Sequence, residues 1–213
     1  YMRTDSVNIA ASAQKEAVEF IREKFGNDYL PKEPPVYKSR KGAQEAHEAV
    51  RPTSVLRTPD SVKPFLEDDA FKLYELIWRK FLASQMVPAV DELTSISILA
   101  CEKFWFKTTG TKNLFPGFTA AFAEIKTENG NSKDAEEEPE ETLGEMPELK
   151  VGQKLKLHEL VGEQHFTKPP ARFNDASLVR LLEEKGIGRP STYAPTISTI
   201  LGRDYCERKG GAL

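Results

Sequence analysis

Two residues at the start of the chain have the chemistry to break a phosphodiester bond. Tyr1 and Arg3 lie two positions apart in the segment YMRTDS, residues 1–6. A phenol has a reference pKa of about 10, so its attack on phosphorus needs help with deprotonation and with the charge that builds on the phosphoryl oxygens. Arg3 can stabilise that charge, because its guanidinium matches phosphate oxygens and stays protonated. Taken alone, these six residues fit a structural interpretation better than a catalytic one. In that interpretation Tyr1 and Arg3 begin a strand or turn, and residues 4–6 cap a helix.

A second cluster, QEAHEAVRPT at residues 44–53, contains His47 and Arg51 at a spacing that places both on one face of a helix. A protonated histidine beside an arginine would bind an anion. The alternative is that Glu48 pairs with Arg51 and that His47 is a polar surface residue. The spacing leaves both interpretations open.

The third cluster, GIGRPSTYA at residues 186–194, combines a glycine-rich turn with a helix start. The turn would bring Arg189, Ser191 and Thr192 to a helix N-terminus, where unpaired backbone N–H groups favour phosphate. The alternative is an ordinary helix capped by Ser191.

The elements around these clusters follow from hydrophobic periodicity. Residues 12–25 predict an amphipathic helix ended by Gly26, and residues 44–50 predict a short helix ended by Pro52. A longer helix before Pro88 is expected to bury one stripe and to leave Lys72, Glu75 and Arg79 in water. The residues of that predicted stripe are Leu66, Ala70, Leu73, Ile77 and Phe81.

From about Leu93 the pattern alternates with period two and predicts antiparallel β structure with a turn at Gly110. Residues 127–148 are acidic and poor in apolar residues, which indicates a solvated loop within the β region. Residues 154–158 are expected to resume the sheet.

Two helices are predicted near the C-terminus. One is capped by Asn174 or Asp175 and ends at Gly186, and the other runs from Ser191 to Gly202. The pair suggests a helix-turn-helix or winged-helix-like element. The predicted fold class is therefore α+β and multidomain: a helical N-terminal domain, an antiparallel β middle domain and a C-terminal helix pair.

Composition narrows the function classes. The chain has 213 residues and a net charge of −3, with its acidic residues concentrated in the middle, so charge neither proves nor excludes binding to a polyanion. No apolar run predicts a membrane span or signal peptide. The 2 cysteines and 3 histidines offer no zinc spacing, and no metal site is predicted in these residues. Lacking an initiator Met, the chain is expected to be an excerpt of a longer protein.

Together and in this order, the three clusters resemble the signature segments of type IA DNA topoisomerases. Residues 73–86 and 115–118 are similar to that family as well, so the resemblance covers nearly the whole chain apart from the acidic loop. The forms of Glu48 and Arg51 are closer to the bacterial topoisomerase I branch than to topoisomerase III or reverse gyrase.

The resemblance implies an ATP-independent enzyme that relaxes negatively supercoiled DNA by cutting one strand, passing another and resealing the cut. Tyr1 would form a 5′-phosphotyrosine bond and Arg3 would stabilise the phosphoryl charge. His47, Arg189 and Thr192 would hold the DNA backbone, with Arg51 and Ser191 as companions.

The same resemblance implies three domains: residues 1–88 as the helical domain with Tyr1, residues 89–172 as a β-rich arch, and residues 173–213 as part of a DNA-cradling domain. The family's Toprim domain, which binds the Mg²⁺ used in religation, should precede Tyr1, and these residues lack it. We therefore expect the piece to be inactive alone. The implied partners are single-stranded regions of negatively supercoiled DNA and the Toprim domain of the same chain. The implied enzyme is a monomer located in the cytoplasm at the nucleoid, with no membrane association.

Two rival classes fit the sequence less well. A non-enzymatic nucleic-acid-binding protein that uses the C-terminal helix pair would leave the two N-terminal clusters unexplained. A tyrosine recombinase or a relaxase needs an Arg/His set before a C-terminal tyrosine or a metal-binding histidine cluster, and the sequence has neither.

Overall fold

The computed structural model describes residues 4, 6–38, 47–127 and 146–213. The chain divides into two compact units, Tyr1–Glu148 and Leu149–Leu213. Mixed helices and a two-stranded antiparallel sheet agree with the predicted α+β class. The three-domain division at residues 88 and 172 stays a prediction, and most of the acidic loop lies outside the described residues.

The first helix, α1 (Ala11–Lys24), confirms the amphipathic pattern. Its buried residues Ala13, Ala17, Phe20 and Ile21 recur at helical spacing. The helix ends as predicted, because Gly26 adopts a φ of 98°, which costs a residue without a side chain little. Ala10 occupies the N-cap position and makes no capping hydrogen bond through its side chain.

After a short helix α2 (Pro59–Val62) and a 3₁₀ turn (Lys63–Phe65), α3 spans Asp68–Ser84. The predicted stripe of α3 was wrong except at Phe81 and, in part, Ile77. The helix buries Trp78, Arg79, Phe81 and Leu82, and leaves Leu73 58% exposed. Both faces of α3 carry large apolar residues. The face with Trp78 packs against the core, because its indole ring buries a larger area than the Leu73 side chain would.

An antiparallel hairpin follows, formed by β1 (Val90–Ala100) and β2 (Phe104–Phe115). The predicted turn at Gly110 was wrong, since Gly110 is a buried β2 residue paired with Thr94. The chain instead reverses at Cys101 and Glu102, which adopt positive φ values of 51° and 55°.

The core of the first unit lies between α1, α3, the loop at Val55 and a 3₁₀ helix over Gly117–Thr127. Two backbone bonds hold this last helix and the end of α3 in place: Phe118 N donates to Val87 O at 2.9 Å, and Val87 N donates to Tyr29 O at 3.1 Å. Ile9 and Ala10, which follow the first cluster, pack against this core, and Val55, just beyond the second cluster, is part of it.

In the second unit, residues 153–173 form neither helix nor strand, so the strand predicted at residues 154–158 was wrong. The helix α4 (Asp175–Glu184) begins at the predicted cap, where Ser177 N donates to the Asn174 side chain at 2.7 Å. The helix α5 (Pro190–Gly202) ends at Gly202 as predicted. The helix-turn-helix or winged-helix assignment stays a prediction.

Candidate functional site

The predicted site residues divide between the two units. His47 and Arg51 lie in the first unit, whereas Arg189, Ser191 and Thr192 lie in the second. Tyr1 and Arg3 fall outside the described residues. Ser6 and the residues that follow it are described, and their contacts show which part of the chain lies beside them.

Residues 6–10, here called the leading segment, pair with residues 47–51, here called the histidine segment. Ser6 Oγ donates a hydrogen bond to the His47 carbonyl oxygen. Two residues further along each segment, Ala49 N donates to Asn8 O at 2.8 Å. The structure thus joins the chain beside the first cluster to the second cluster, although Ser6 and His47 are 41 positions apart in the sequence.

This pairing replaces the helix predicted over residues 44–50. Residues 44–46 lie outside the described residues, and residues 47–50 are not helical. The prediction that His47 and Arg51 share a helix face was therefore wrong over the described part. Ala49 N, which in a helix would donate to the carbonyl oxygen four residues earlier, donates instead to Asn8 O of the leading segment.

Glu48 connects the two segments through its side chain. Its Oε1 accepts hydrogen bonds from Ala10 N at 2.9 Å and from Arg51 Nε at 2.6 Å, and its Oε2 accepts one from an Arg51 terminal nitrogen at 3.1 Å. The hydrogen bond from Arg51 is the main reason why the pKa of the Glu48 carboxyl lies below its ordinary value, and the Ala10 amide lowers it further.

The pairing of Glu48 with Arg51 confirms that part of the alternative interpretation. Arg51 is 20% exposed at its side chain, and its other terminal nitrogen donates to Pro52 O at 2.9 Å. Most of its donors are therefore used within the protein, and its contact with DNA stays a prediction. His47 is half-buried, and its role also stays a prediction.

A second carboxylate fixes the loop just beyond the histidine segment. Glu16, on α1, accepts hydrogen bonds from Ser54 Oγ at 2.8 Å and from Val55 N at 2.9 Å. Sequence reasoning missed this contact and the one between Glu48 and Ala10. Each joins residues that are distant in the sequence, where periodicity and spacing carry no signal.

The arginine turn, residues 186–192, shows why its glycines are needed. Gly188 has a φ of 80°, and a Cβ there would lie 3.0 Å from Thr192 Oγ1. At the start of α5, Arg189 N donates to Thr192 Oγ1 at 2.8 Å, and that hydroxyl donates back to Arg189 O at 3.0 Å. Thr192 therefore caps this helix, and the prediction that Ser191 caps it was wrong.

The remaining groups of the turn face water. Arg189, Ser191 and Thr192 are all exposed, and the Arg189 guanidinium has no hydrogen-bond or ion-pair partner within the described part of the chain. Pro190 has no N–H and Thr192 N donates to Arg189 O at 2.8 Å, so the first turn presents fewer free amide donors than a helix N-terminus usually does. The Arg189 cation and the Ser191 hydroxyl at a helix N-terminus still form an arrangement suited to a phosphate.

Metal-binding and membrane-spanning features are both absent from residues 4, 6–38, 47–127 and 146–213. Within them, no three histidine, cysteine or acidic side chains come together as potential metal ligands. No helix in the same residues combines the length and apolar character needed to cross a membrane.

Comparison with known proteins gives consistent matches. A family model described as DNA topoisomerase matches residues 1–213. The DNA topoisomerase 1 of Xylella fastidiosa (strain Temecula1) is 46% identical over 211 residues, which are 99% of this chain and 25% of that protein. That of Helicobacter pylori (strain 26695) is 47% identical over 206 residues, or 96% of this chain and 26% of that protein.

A solved structure agrees with these matches. Full-length topoisomerase I from Thermotoga maritima superposes with a TM-score of 0.74 at 37% identity, covering 100% of this chain and 32% of that one. The chain thus spans about a quarter of the length of the curated relatives it matches.

Proposed function

The chain belongs to the DNA topoisomerase family, and from that premise we propose that it is the part of a type IA enzyme that carries the DNA-cleaving tyrosine. The observation that best supports this is the pairing of the leading segment with the histidine segment. It brings the chain that adjoins Tyr1 and Arg3 next to His47, which the proposed chemistry requires.

In the proposed reaction, the Tyr1 phenol loses its proton and attacks a phosphorus atom of single-stranded DNA. A bond forms between the tyrosine oxygen and phosphorus, and the bond from phosphorus to the 3′-oxygen breaks. The 3′-oxygen takes up a proton, and the DNA 5′-phosphate stays on Tyr1. Reversal by that 3′-hydroxyl reseals the strand without ATP, because the phosphodiester energy is kept in the covalent intermediate.

The other residues have supporting roles in this proposal. Arg3 stabilises the negative charge on the phosphoryl oxygens during both steps. His47 and the arginine turn each contact the DNA backbone, with Arg189 as the cation and Ser191 as a hydroxyl donor, while Thr192, whose hydroxyl donates to Arg189 O, fixes the turn. Such contacts position a strand without selecting its sequence, so we expect binding that weakens with salt and tolerates many sequences.

Magnesium does not fit the described residues, since they bring no set of potential metal ligands together. We propose that Mg²⁺ binds to a Toprim domain outside these 213 residues and that the piece alone does not cleave DNA. We further propose that the complete enzyme is a monomer that relaxes negatively supercoiled DNA at the nucleoid.

Exchange of segments tests the function. The chain would replace the matching segment of the Xylella fastidiosa relative, and the chimera would be assayed for relaxation of a negatively supercoiled plasmid. Tyr1→Phe removes the nucleophilic oxygen and should abolish both relaxation and the covalent DNA adduct trapped by detergent. Tyr205→Phe is the matched control, because Tyr205 is 71% exposed and lies outside the proposed site.

Relaxation by the Tyr1→Phe chimera would contradict the role of Tyr1 as the nucleophile, whereas an unsubstituted chimera that bound DNA without relaxing it would favour a non-enzymatic DNA-binding role. The 213-residue chain would be tested separately, with a single-stranded oligonucleotide and Mg²⁺. An adduct on Tyr1 in that assay would refute the proposed inactivity of the piece without affecting the role of the tyrosine.

A further inference from the structure

We infer that Glu48 is a positioning residue, whose carboxylate holds the histidine segment against the leading segment and thereby sets the place of His47 relative to the chain beside Tyr1. This inference rests on the proposed function, because it assigns Glu48 an effect on DNA through His47.

The contacts of Glu48 reach both segments at once. Its Oε1 receives the Ala10 amide from the leading segment and Arg51 Nε from the histidine segment. Arg51 is itself anchored to the Pro52 carbonyl oxygen at 2.9 Å. Removing the carboxylate would therefore release the Ala10 amide and leave a largely buried guanidinium without its counter-charge.

The position of His47 depends on this connection because hydrogen bonds hold its own carbonyl oxygen and the two residues that follow it. The His47 carbonyl oxygen accepts a bond from Ser6 Oγ, and Ala49 N donates to Asn8 O. Glu48 lies between these two contacts in sequence and adds a third. Three successive residues of one segment are thus bound to the other segment, which leaves the His47 backbone little freedom to shift.

A charged carboxylate suits this position better than an amide would. Arg51 presents Nε and a terminal nitrogen to the two oxygens of Glu48, a paired arrangement that needs two acceptors. Glutamine has the same length but only one acceptor oxygen, and its NH₂ group would face an Arg51 donor, so it cannot accept from Ala10 and from both Arg51 nitrogens at once. Glu48→Gln is therefore a nearly isosteric change that disrupts the connection selectively.

Amide hydrogen exchange, measured by NMR on the 213-residue chain, tests the connection. Ala49 N–H is the informative probe, because it bonds to Asn8 and not to the Glu48 side chain. We expect Glu48→Gln to speed exchange at Ala10 and Ala49 by about tenfold or more.

Glu16→Gln is the matched control for the exchange measurement. The Glu16 carboxylate also holds a backbone amide, at Val55, but not the histidine segment. This variant should speed exchange at Val55 and leave Ala49 unchanged. Unchanged exchange at Ala49 in Glu48→Gln would overturn the inference.

A double-mutant cycle then asks whether Glu48 acts through His47. Affinity for a labelled single-stranded oligonucleotide would be measured by fluorescence anisotropy for the wild type, Glu48→Gln, His47→Ala and the double variant. We expect Glu48→Gln to weaken binding several-fold in the wild type but less than about twofold in the His47→Ala background, because effects that share one residue are not additive. Equal losses in both backgrounds would overturn the inference, since that is the result of a general structural defect.

The two proposals fail in different ways. If His47→Ala binds the oligonucleotide as the wild type does, the DNA contact of His47 in the proposed function is wrong, and with it the effect of Glu48 on DNA. Faster exchange at Ala49 in Glu48→Gln would still support Glu48 as the residue that places the histidine segment.

Discussion

The indole N–H of Trp78 donates a hydrogen bond to the backbone carbonyl oxygen of Val55, at 3.0 Å. Both residues are buried, and the Trp78 ring meets the Phe20 ring edge-on with 5.5 Å between centroids. One side chain on α3 thus holds both α1 and the loop that follows the histidine segment. The frame of the first unit depends on this tryptophan.

Trp78→Phe should therefore destabilise the protein. Phenylalanine keeps an aromatic ring but leaves the buried Val55 carbonyl oxygen without its partner, at a cost of about 1–3 kcal/mol. Urea unfolding followed by far-UV circular dichroism measures the change. Trp105→Phe is the matched control, because Trp105 is 64% exposed and should change stability by less than about 0.5 kcal/mol. Equal midpoints for the two variants would contradict this view of the core.

Arg79 is a buried cation whose loss should also be costly. One terminal nitrogen donates to Ala121 O at 2.6 Å, and the other donates to Glu75 Oε1 at 2.8 Å, four residues earlier on α3. Arg79→Met should cost about 1.5–3 kcal/mol in the free energy of unfolding, the range for hydrogen bonds to charged groups.

Arg180→Met is the control for that substitution. Arg180 pairs with Glu184 at the same i,i+4 spacing, but its side chain is 81% exposed. A solvent-exposed pair of this kind contributes about 0.3–0.5 kcal/mol. If the two variants lose similar amounts of stability in the urea titration, Arg79 is not the structural cation inferred from its burial.

Gly117 lies where the chain leaves the hairpin and approaches the end of α3. It has a φ of 48°, and a Cβ there would lie 2.3 Å from the Pro88 backbone oxygen. Gly117→Ala should lower the thermal midpoint more than Gly26→Ala does. Gly26 also has a positive φ, of 98°, but a Cβ added there would meet no atom within 4 Å. Both variants place an alanine at positive φ, and Gly117→Ala adds a clash with backbone atoms, so equal midpoints would show that the Pro88 backbone shifts freely.

The hydrophobic periodicity of the sequence was enough to predict some helices and strands but not others. The helix α1 was predicted because its apolar residues repeat on one face and Gly26 ends it. In α3 the same periodicity indicated the wrong face, because Leu73 and Trp78 both satisfy a helical period. The choice between them depends on Val55 and Phe20, which contact Trp78 from distant parts of the sequence.

The hairpin and the histidine segment show the same limit. Cys101 and Glu102 adopt left-handed conformations usually taken by glycine or asparagine, so composition pointed to Gly110 instead. Of the candidate site, the sequence suggested the residue types, which stay a prediction, and offered the pairing of Glu48 with Arg51 as one of two open interpretations, which the structure confirms. It could not show that Glu48 also binds the Ala10 amide, because that contact depends on the fold of the whole first unit.

The Glu48 connection should make part of the stability dependent on pH. The Arg51 hydrogen bond lowers the pKa of Glu48 in the folded state, so the contribution of the carboxylate is fully present above the ordinary pKa of glutamate. It is lost as the pH falls through the lower folded-state value. We therefore expect the wild type to be more stable than Glu48→Gln near neutral pH and the gap to shrink below about pH 4.3.

Thermal unfolding of both proteins, from neutral pH down to about pH 3, would measure that gap, which should decrease steadily toward acid. Asp69→Asn serves as the control for removal of one negative charge, because Asp69 is fully exposed and only reaches Lys72 at 3.4 Å. A gap that widened toward acid would have the wrong sign for a carboxylate with a lowered pKa.

Arg189 should contribute to DNA binding as a single exposed cation. It stands at the start of α5 with no partner for its guanidinium in the described residues, so it can neutralise one phosphate. Arg189→Gln should weaken binding to single-stranded oligonucleotides of any sequence and reduce the slope of log affinity against log salt concentration by about 0.7.

Arg203→Gln is the matched control at the opposite end of the same helix, where Arg203 is also exposed. Because the C-terminus of a helix repels anions, that variant should leave the slope nearly unchanged. Equal reductions for both variants would mean that the charge of the unit, rather than the arginine turn, attracts the DNA.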